Sequence, residues 1–395
     1  MVERVSHRLA EPRAFLEQYR EGAGVREEGG AYNGKIAFPE VHSFLEAPDE
    51  ALEAAEGMVI SALRGHAQRA TGGQPAPVLL DRRASARVHA CAEVLTTALS
   101  QQAKDLDVSF TPELPTEPSA RSLCGCFGLS PDGVATSAGM MARLFEGDVP
   151  PELAQMRLSE WFSTQLSTDR YQADKLLLQD TCGFVGEALW NALLHGAGDT
   201  WLGAVVRKDV VAAMPRVELA IFNLGPTMAE TIMRMPAADE ARAQLDQLSE
   251  HHEAQGYFGN GWTPESLLVR HALQDRLTTF GTKKRTGGCG CMSMIGFFEE
   301  LTRAGDEADA RCAFITGNTH VLLSDRHRLA PSRSANRPAP IRDLAFNDNN
   351  DFSLPADPQC FRTLKRRFPG TMVTLQFTLT QAHMTRREDS HEGHR

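Results

Sequence analysis

No run of apolar residues in this 395-residue chain approaches the length that spans a bilayer, and the opening stretch MVERVSHRLAEPRAF has no apolar core of the kind that directs export. The expectation is a soluble, cytoplasmic protein with no membrane partner. An excess of positive charge is also missing. Lys and Arg total 41 against 51 for Asp and Glu, a net charge of −10, which argues against a nucleic-acid surface spread over the whole molecule. Nucleic acid is not indicated as a partner. Paired Cys-x-x-Cys motifs are absent as well. The eight cysteines include two Cys-Gly-Cys pairs, Cys124/Cys126 and Cys289/Cys291. Each pair has one intervening residue and no histidine nearby at metal spacing, so a structural zinc is not expected and the thiols are read as free.

What is present is an ordinary globular composition, 42% hydrophobic, in a chain long enough for two domains. Residues 1–30 are charged and glycine-rich and read as a flexible N-terminus. Just beyond, GGAYNGKI has the outline of a phosphate-binding P-loop from Gly29 to Lys35. The Ser/Thr that motif needs is Ile36, no strand precedes it, and IAFPE after it reads as a strand where a helix is required. The outline fails on context.

Residues 31–145 alternate short apolar strands (GKIAF, APVLLD, LDVSFT) with amphipathic helices, the pattern of a small α/β domain. LPTEPSARSL reads as a proline-broken loop and SPDGVATSAG as a linker. Residues 150–382 form the second unit. PELAQMRLSEWFSTQL and LLLQDTCGFVGEALWNALLHG have helical periodicity, and GAVVRKDVV and RVELAIFNL read as strands. A helix is expected from Pro226 and another over PESLLVRHALQDRL. CAFITG and THVLLSD suggest a hairpin turning at Gly317-Asn318. NRPAPIRDLAFNDNNDFSLPADP reads as an insertion or mobile loop, GTMVTLQFTLTQ as a late strand, and 383–395 as a polar tail.

Within GEALWNALLHG the helical period places Glu187, Asn191 and His195 on one face, among apolar neighbours. Polar groups stacked on such a helix are costly to bury without partners. A carboxylate and a carboxamide one turn apart suit a site that activates water and holds a magnesium–phosphate unit. A solvated polar stripe is the alternative. Downstream, RTGGCGCMSMIGFFEEL puts Gly287, Gly288 and Gly290 just before a helix, where backbone N–H groups are able to cradle phosphate.

The order Glu-x-x-x-Asn-x-x-x-His-Gly, then a strand ending in a glycine turn, then a glycine-rich loop, resembles the GHKL (Bergerat-fold) ATPases over about residues 155–380. That resemblance implies an α/β sandwich, a mixed sheet with helices on one face, binding ATP and Mg2+. It implies Asn191 as the magnesium ligand, Glu187 as general base, and a structural role for His195. In the adenine-binding motif, Asn223 stands where the family has aspartate, Gly225 is kept, and Thr227 replaces a second glycine. An amide both donates and accepts, so adenine specificity is weakened. LQDRLTTFGTKKRT corresponds to the mobile lid, with Lys283 and Lys284 able to reach phosphate. Gly287, Gly288 and Gly290 form the phosphate loop, and Gly370-Thr371 matches the last motif, with Thr371 supporting the nucleotide. The upstream unit is similar in element order to STAS-like modules.

Three functions stay open: nucleotide hydrolysis driving lid closure or assembly in a bacterial regulatory or defence complex, an anti-sigma-type protein kinase acting on a partner, and a non-catalytic nucleotide-sensing subunit. Each implies an unidentified protein partner, and a homodimer is allowed.

Overall fold

The structure, a computed structural model, describes residues 12–25, 34–126, 139–144, 151–166, 171–195, 199–207, 214–236, 239–259, 261–274, 290–303, 309–331 and 342–386. The expectation of a flexible N-terminus fails over helix α1 (Pro12–Gly22). Phe15, Leu16 and Tyr19 share one side of it and are fully buried, so its charged residues are only the outer face of an amphipathic helix. There follow β1 (Lys35–Ala37), β2 (Val41–His42), α2 (Pro48–Ala70), β3 (Val78–Asp81), β4 (Arg87–Val88), α3 (Ala90–Asp105) and β5 (Phe110–Glu113). Helix α2 opens on Pro48, Asp49 and Glu50. Proline loses nothing there by lacking an N–H, and the acids meet the positive end of the helix. Strands β1, β3 and β5 form a parallel sheet with β3 central, and β2 pairs with β4.

The stretch expected as a proline-broken loop contains helix α4 (Pro118–Cys126). Pro118 sits in its first turn, where it starts a helix and does not break one. Of the expected linker over 130–139, only Gly139 lies among the described residues. It opens β6 (Gly139–Leu144), which the sequence reading put in the first domain. In the structure β6 pairs with the second unit.

That second unit runs α5 (Pro151–Gln165), β7 (Tyr171–Ala173), α6 (Lys175–His195), β8 (Thr200–Arg207), β9 (Arg216–Leu224), α7 (Met228–Met233), α8 (Glu240–Ala254), α9 (Pro264–Ala272), α10 (Gly290–Arg303), β10 (Arg311–Leu323), β11 (Ala330–Pro331), β12 (Arg342–Asp343), β13 (Phe361–Thr378) and β14 (Met384–Arg386). Its sheet has the order β10-β13-β9-β8-β6 and is antiparallel throughout. The expected mixed sheet is corrected, since all its pairings are antiparallel; the unit's own helices α5, α6, α9 and α10 do lie on one face, and the other face is covered by the N-terminal unit. Strands β8 and β9 are buried along nearly their whole length, so each face needs a cover. Leu202, Ala204, Ile221 and Leu375 pack with α5, α6, α9 and α10 on one side. Trp201, Phe222, Ile315 and Met372 pack with α1, α2 and α3 on the other. The two units therefore share a core.

Their contact is close and polar at its edges. A Cβ on Gly203 of β8 would fall 1.9 Å from Val94 Cγ2 on α3, so glycine is what lets this helix lie flat on the sheet. His89 precedes α3 without capping it. The cap comes from β9, where Glu218 Oε2 accepts the Ala90 N–H at 2.7 Å, and Arg207 Nη1 flanks the same carboxylate at 3.3 Å. Asp49 Oδ1 accepts the N–H groups of Lys365 and Arg366 at 2.7 and 3.1 Å.

Three smaller expectations change. Gly317-Asn318 is no hairpin turn: β10 runs through it, with register shifts against β13 on either side of Gly317. Gly317 has φ 58°, the conformation of a glycine β-bulge, and the Glu265 carboxylate occupies the space its Cβ would take. The described part of the proline-rich insertion is tied down, with buried Arg270 donating to the carbonyls of Phe352 and Leu354, each at 2.6 Å. His252 is buried and accepts the Trp262 indole N–H at 3.1 Å. The polar tail begins with β14, which pairs with β7. Residues 387–395 lie outside the described part.

Candidate functional site

Helix α6 carries Glu187 and Asn191 one turn apart, both half-buried, on the seam between its packed and exposed sides. Ala188, Leu189 and Ala192 face the core, while Trp190 and Leu194 are exposed at 47% and 44%. The bland alternative of a solvated stripe does not describe this seam, because another helix end meets it. A Cβ on Gly290, the first residue of α10, would lie 2.5 Å from Glu187 Oε2 and 3.1 Å from Asn191 Nδ2. Two motifs separated by a hundred residues thus touch, and only glycine leaves room for that contact. The free N–H groups and positive dipole of the first turn of α10 favour an anionic group beside Glu187 and Asn191.

Cys291 is part of this contact. Asn191 Nδ2 donates toward its Sγ at 3.8 Å. Burial and then the nearby Glu187 carboxylate push the Cys291 thiol up to about 12, so it stays protonated at neutral pH and is no nucleophile there. His195 ends α6, but its side chain is not among those described. Lys283, Lys284, Gly287, Gly288 and Cys289, four of them expected in the lid and phosphate loop, also lie outside the described residues.

The second half of the site is a polar rung across the sheet. Thr200 of β8, Asn223 of β9, Thr371 of β13 and Thr316 of β10 are paired neighbours in register. Alternation with Leu202, Ile221, Val373 and Phe314 sets all four on the side that α6 and α10 cover. The hydroxyls of Thr371 and Thr316 lie 3.0 Å apart, and Thr316 Oγ1 accepts the Met228 N–H at 3.0 Å. Asn223 is buried and its Nδ2 reaches the Leu224 carbonyl at only 3.4 Å. Thr200 is buried and its hydroxyl has no hydrogen-bond partner among the described residues, which is costly unless another polar group meets it. The rung begins five residues after the end of α6, a reach of at most about 17 Å.

Glycines make the rung possible. A Cβ on Gly370 would fall 2.0 Å from the Asn223 carbonyl oxygen. Gly225, at φ 137°, turns the chain out of β9, and its N–H donates to the Pro369 carbonyl at 3.0 Å. Thr227, standing where the resembled family has a second glycine, caps α7: its hydroxyl accepts the Glu230 N–H, and Glu230 Oε2 accepts the Thr227 N–H at 2.9 Å. That capping box was legible as Thr-x-x-Glu. Thr316 and Thr200 were not singled out in the sequence, and Cys291 was read there only as a free thiol, because only strand register and helix contact give them meaning.

Among the described residues, no group of three or more His, Cys, Asp or Glu side chains is arranged to hold a metal, and no helix is long and apolar enough to cross a membrane. The cysteines Cys91, Cys124, Cys182, Cys291, Cys312 and Cys360 are free thiols. No family model, no curated protein and no solved structure matches the chain.

Proposed function

We propose that this protein is a Mg-dependent ATP-binding and ATP-hydrolysing protein of GHKL type. The observation that carries the reading is the meeting of Glu187 and Asn191 with Gly290 at the start of α10. A helix N-terminus facing a carboxylate and a carboxamide supplies anion binding, a proton acceptor and one metal ligand in one place. The polar rung fits the other end of a nucleotide: Asn223 offers both a donor and an acceptor, and the Thr200 hydroxyl, without a partner among the described residues, leaves a hydrogen bond to be made. Magnesium commonly takes one or two protein ligands and completes its shell with phosphate and water, so in this reading the Asn191 carboxamide needs no further protein ligand beside it.

In this reading Asn191 Oδ1 is the protein's metal ligand, and Glu187 orients the attacking water and accepts its proton. The N–H groups of the first turn of α10 hold phosphate oxygens, joined by Gly287, Gly288, Lys283 and Lys284. Asn223 and Gly225 meet the base, and Thr371 backs them through Thr316. Bound magnesium would neutralise charge on the phosphate oxygens. The N-terminal unit, STAS-like in element order, covers the far face of the sheet and offers a route to a partner protein.

Glu187→Ala is expected to abolish ATP turnover while leaving nucleotide bound. Undiminished turnover in that variant would remove Glu187 from the role of base. A second reading, a nucleotide sensor without hydrolysis, is favoured by one observation: Thr227 is committed to capping α7 where a glycine would let the chain move. Nucleotide binding with no phosphate release in the wild type would select it. Phosphate transfer to an added partner protein would select the kinase reading.

A further inference from the structure

The Asn191 carboxamide has two chemically different ends of nearly the same shape, and only its oxygen is able to ligate a cation. Something must decide which end is left for the cation. Nδ2 is the end turned toward α10: it points at Cys291 Sγ across 3.8 Å and lies 3.1 Å from where a Gly290 Cβ would be. Glu187 Oε2 would lie 2.5 Å from that same Cβ, which adds a carboxylate on the side that prefers the amide N–H. With Nδ2 engaged on this side, Oδ1 is the end left for a cation.

We infer that Cys291 is a positioning residue of the nucleotide site: its sulfur accepts the Asn191 Nδ2–H and so sets the carboxamide with Oδ1 free for the magnesium ion. This rests on the ATP-binding reading above and adds to it a role for the thiol. Gly290 and Cys291 then work together. Glycine brings the helix end close, and the next residue supplies the acceptor. A sulfur acceptor is weak, so the effect is a bias in orientation and not a lock.

The test uses the full chain and its Cys291→Ala and Cys291→Ser variants, with two readouts. The first needs no nucleotide: the side-chain NH2 resonances of 15N-labelled Asn191, assigned by their loss in Asn191→Asp. Wild type is expected to show one carboxamide proton shifted by the sulfur, Cys291→Ser to keep a displaced signal, and Cys291→Ala to return it to the position of a solvated amide. Identical spectra in all three proteins would overturn the contact. The second readout is ATP affinity with magnesium and with a chelator. Cys291→Ala is expected to raise the half-saturating magnesium concentration about two- to fivefold with the chelator-measured affinity unchanged, and Cys291→Ser to recover part of the loss. An equal loss with and without magnesium would make the thiol ordinary packing and overturn the positioning role. A wild-type chain that binds no nucleotide would overturn the ATP reading and the metal role of Asn191 with it, and the spectra would still judge the N–H···S contact separately.

Discussion

In the proposed site Gly290 acts through its backbone. A methyl group there meets the end of the flexible Glu187 side chain at 2.5 Å, so the carboxylate can swing away at little cost to folding while losing its place. Gly290→Ala is therefore expected to keep the thermal midpoint of the wild type and to lower ATP turnover about a hundredfold, the scale of a displaced general base. A variant that unfolds early, or one that turns over normally, would contradict the geometry. Thr200 gives the opposite kind of test. Its buried hydroxyl has no partner among the described residues, so Thr200→Val, equal in shape, is expected to leave stability unchanged or raise it by about 1 kcal/mol. A loss of that size in chemical denaturation would show that the hydroxyl is already bonded. At this scale the sequence was informative about Glu187, Asn191, Asn223 and Thr371, whose types and order carry chemistry. It was silent on Thr200 and Thr316 and gave Cys291 only as a free thiol, because a threonine in a strand or a cysteine in a helix has no signature until a neighbour from elsewhere in the chain arrives.

Elements were legible where their periodicity is internal. Helices α2, α3, α5, α6 and α10 and strands β3, β8, β9 and β13 all follow apolar spacing within one stretch. Helix α1 was lost among its charges, although Phe15, Leu16 and Tyr19 were its buried stripe. Helix α4 was lost to Pro118, taken as a breaker, and the bulge at Gly317 was read as a turn because both ask for the same residue. Pairing is different: the antiparallel order of the five-stranded sheet depends on contacts between distant segments, which no local pattern encodes. The same is true of helix caps supplied from afar. Helix α3 relies on Glu218, on a strand more than a hundred residues later. Glu218→Ala is expected to destabilise the chain by about 2 kcal/mol, since it leaves the Ala90 N–H without an acceptor and Arg207 without its carboxylate. A change below a few tenths of a kcal/mol in urea denaturation would show that water replaces the cap.

For the whole molecule, the sequence suggested two domains joined by a linker, and the structure joins the two units through a shared core, with helices of the first packed on the five-stranded sheet of the second. The change follows from Trp201, Phe222 and Met372, apolar residues on the face that α1–α3 cover. A chain cut to begin at residue 139 is expected to aggregate, because that face would be exposed. A soluble, monomeric fragment with a cooperative transition would restore the two-domain picture. Acid should also act on the molecule as a whole. Burial, then Arg362, lowers His320 to about 4, and His42 and His89 are lowered chiefly by burial. A base whose folded value is depressed contributes stability in full above its unfolded value near 6.5, and this is lost as pH falls toward the folded value. His320 alone corresponds to about 3 kcal/mol between pH 6.5 and pH 4. The urea midpoint is expected to drop steadily over that window and to drop less in His320→Gln.

The central claim is that Glu187, Asn191 and the start of α10 form a nucleotide site. Calorimetric titration of the full chain with ATP, in magnesium and in chelator, tests it most directly, with Asn191→Ala alongside. The account predicts a single binding event that magnesium tightens, and the loss of that tightening in Asn191→Ala. No heat from ATP, ADP or GTP in either buffer would contradict it.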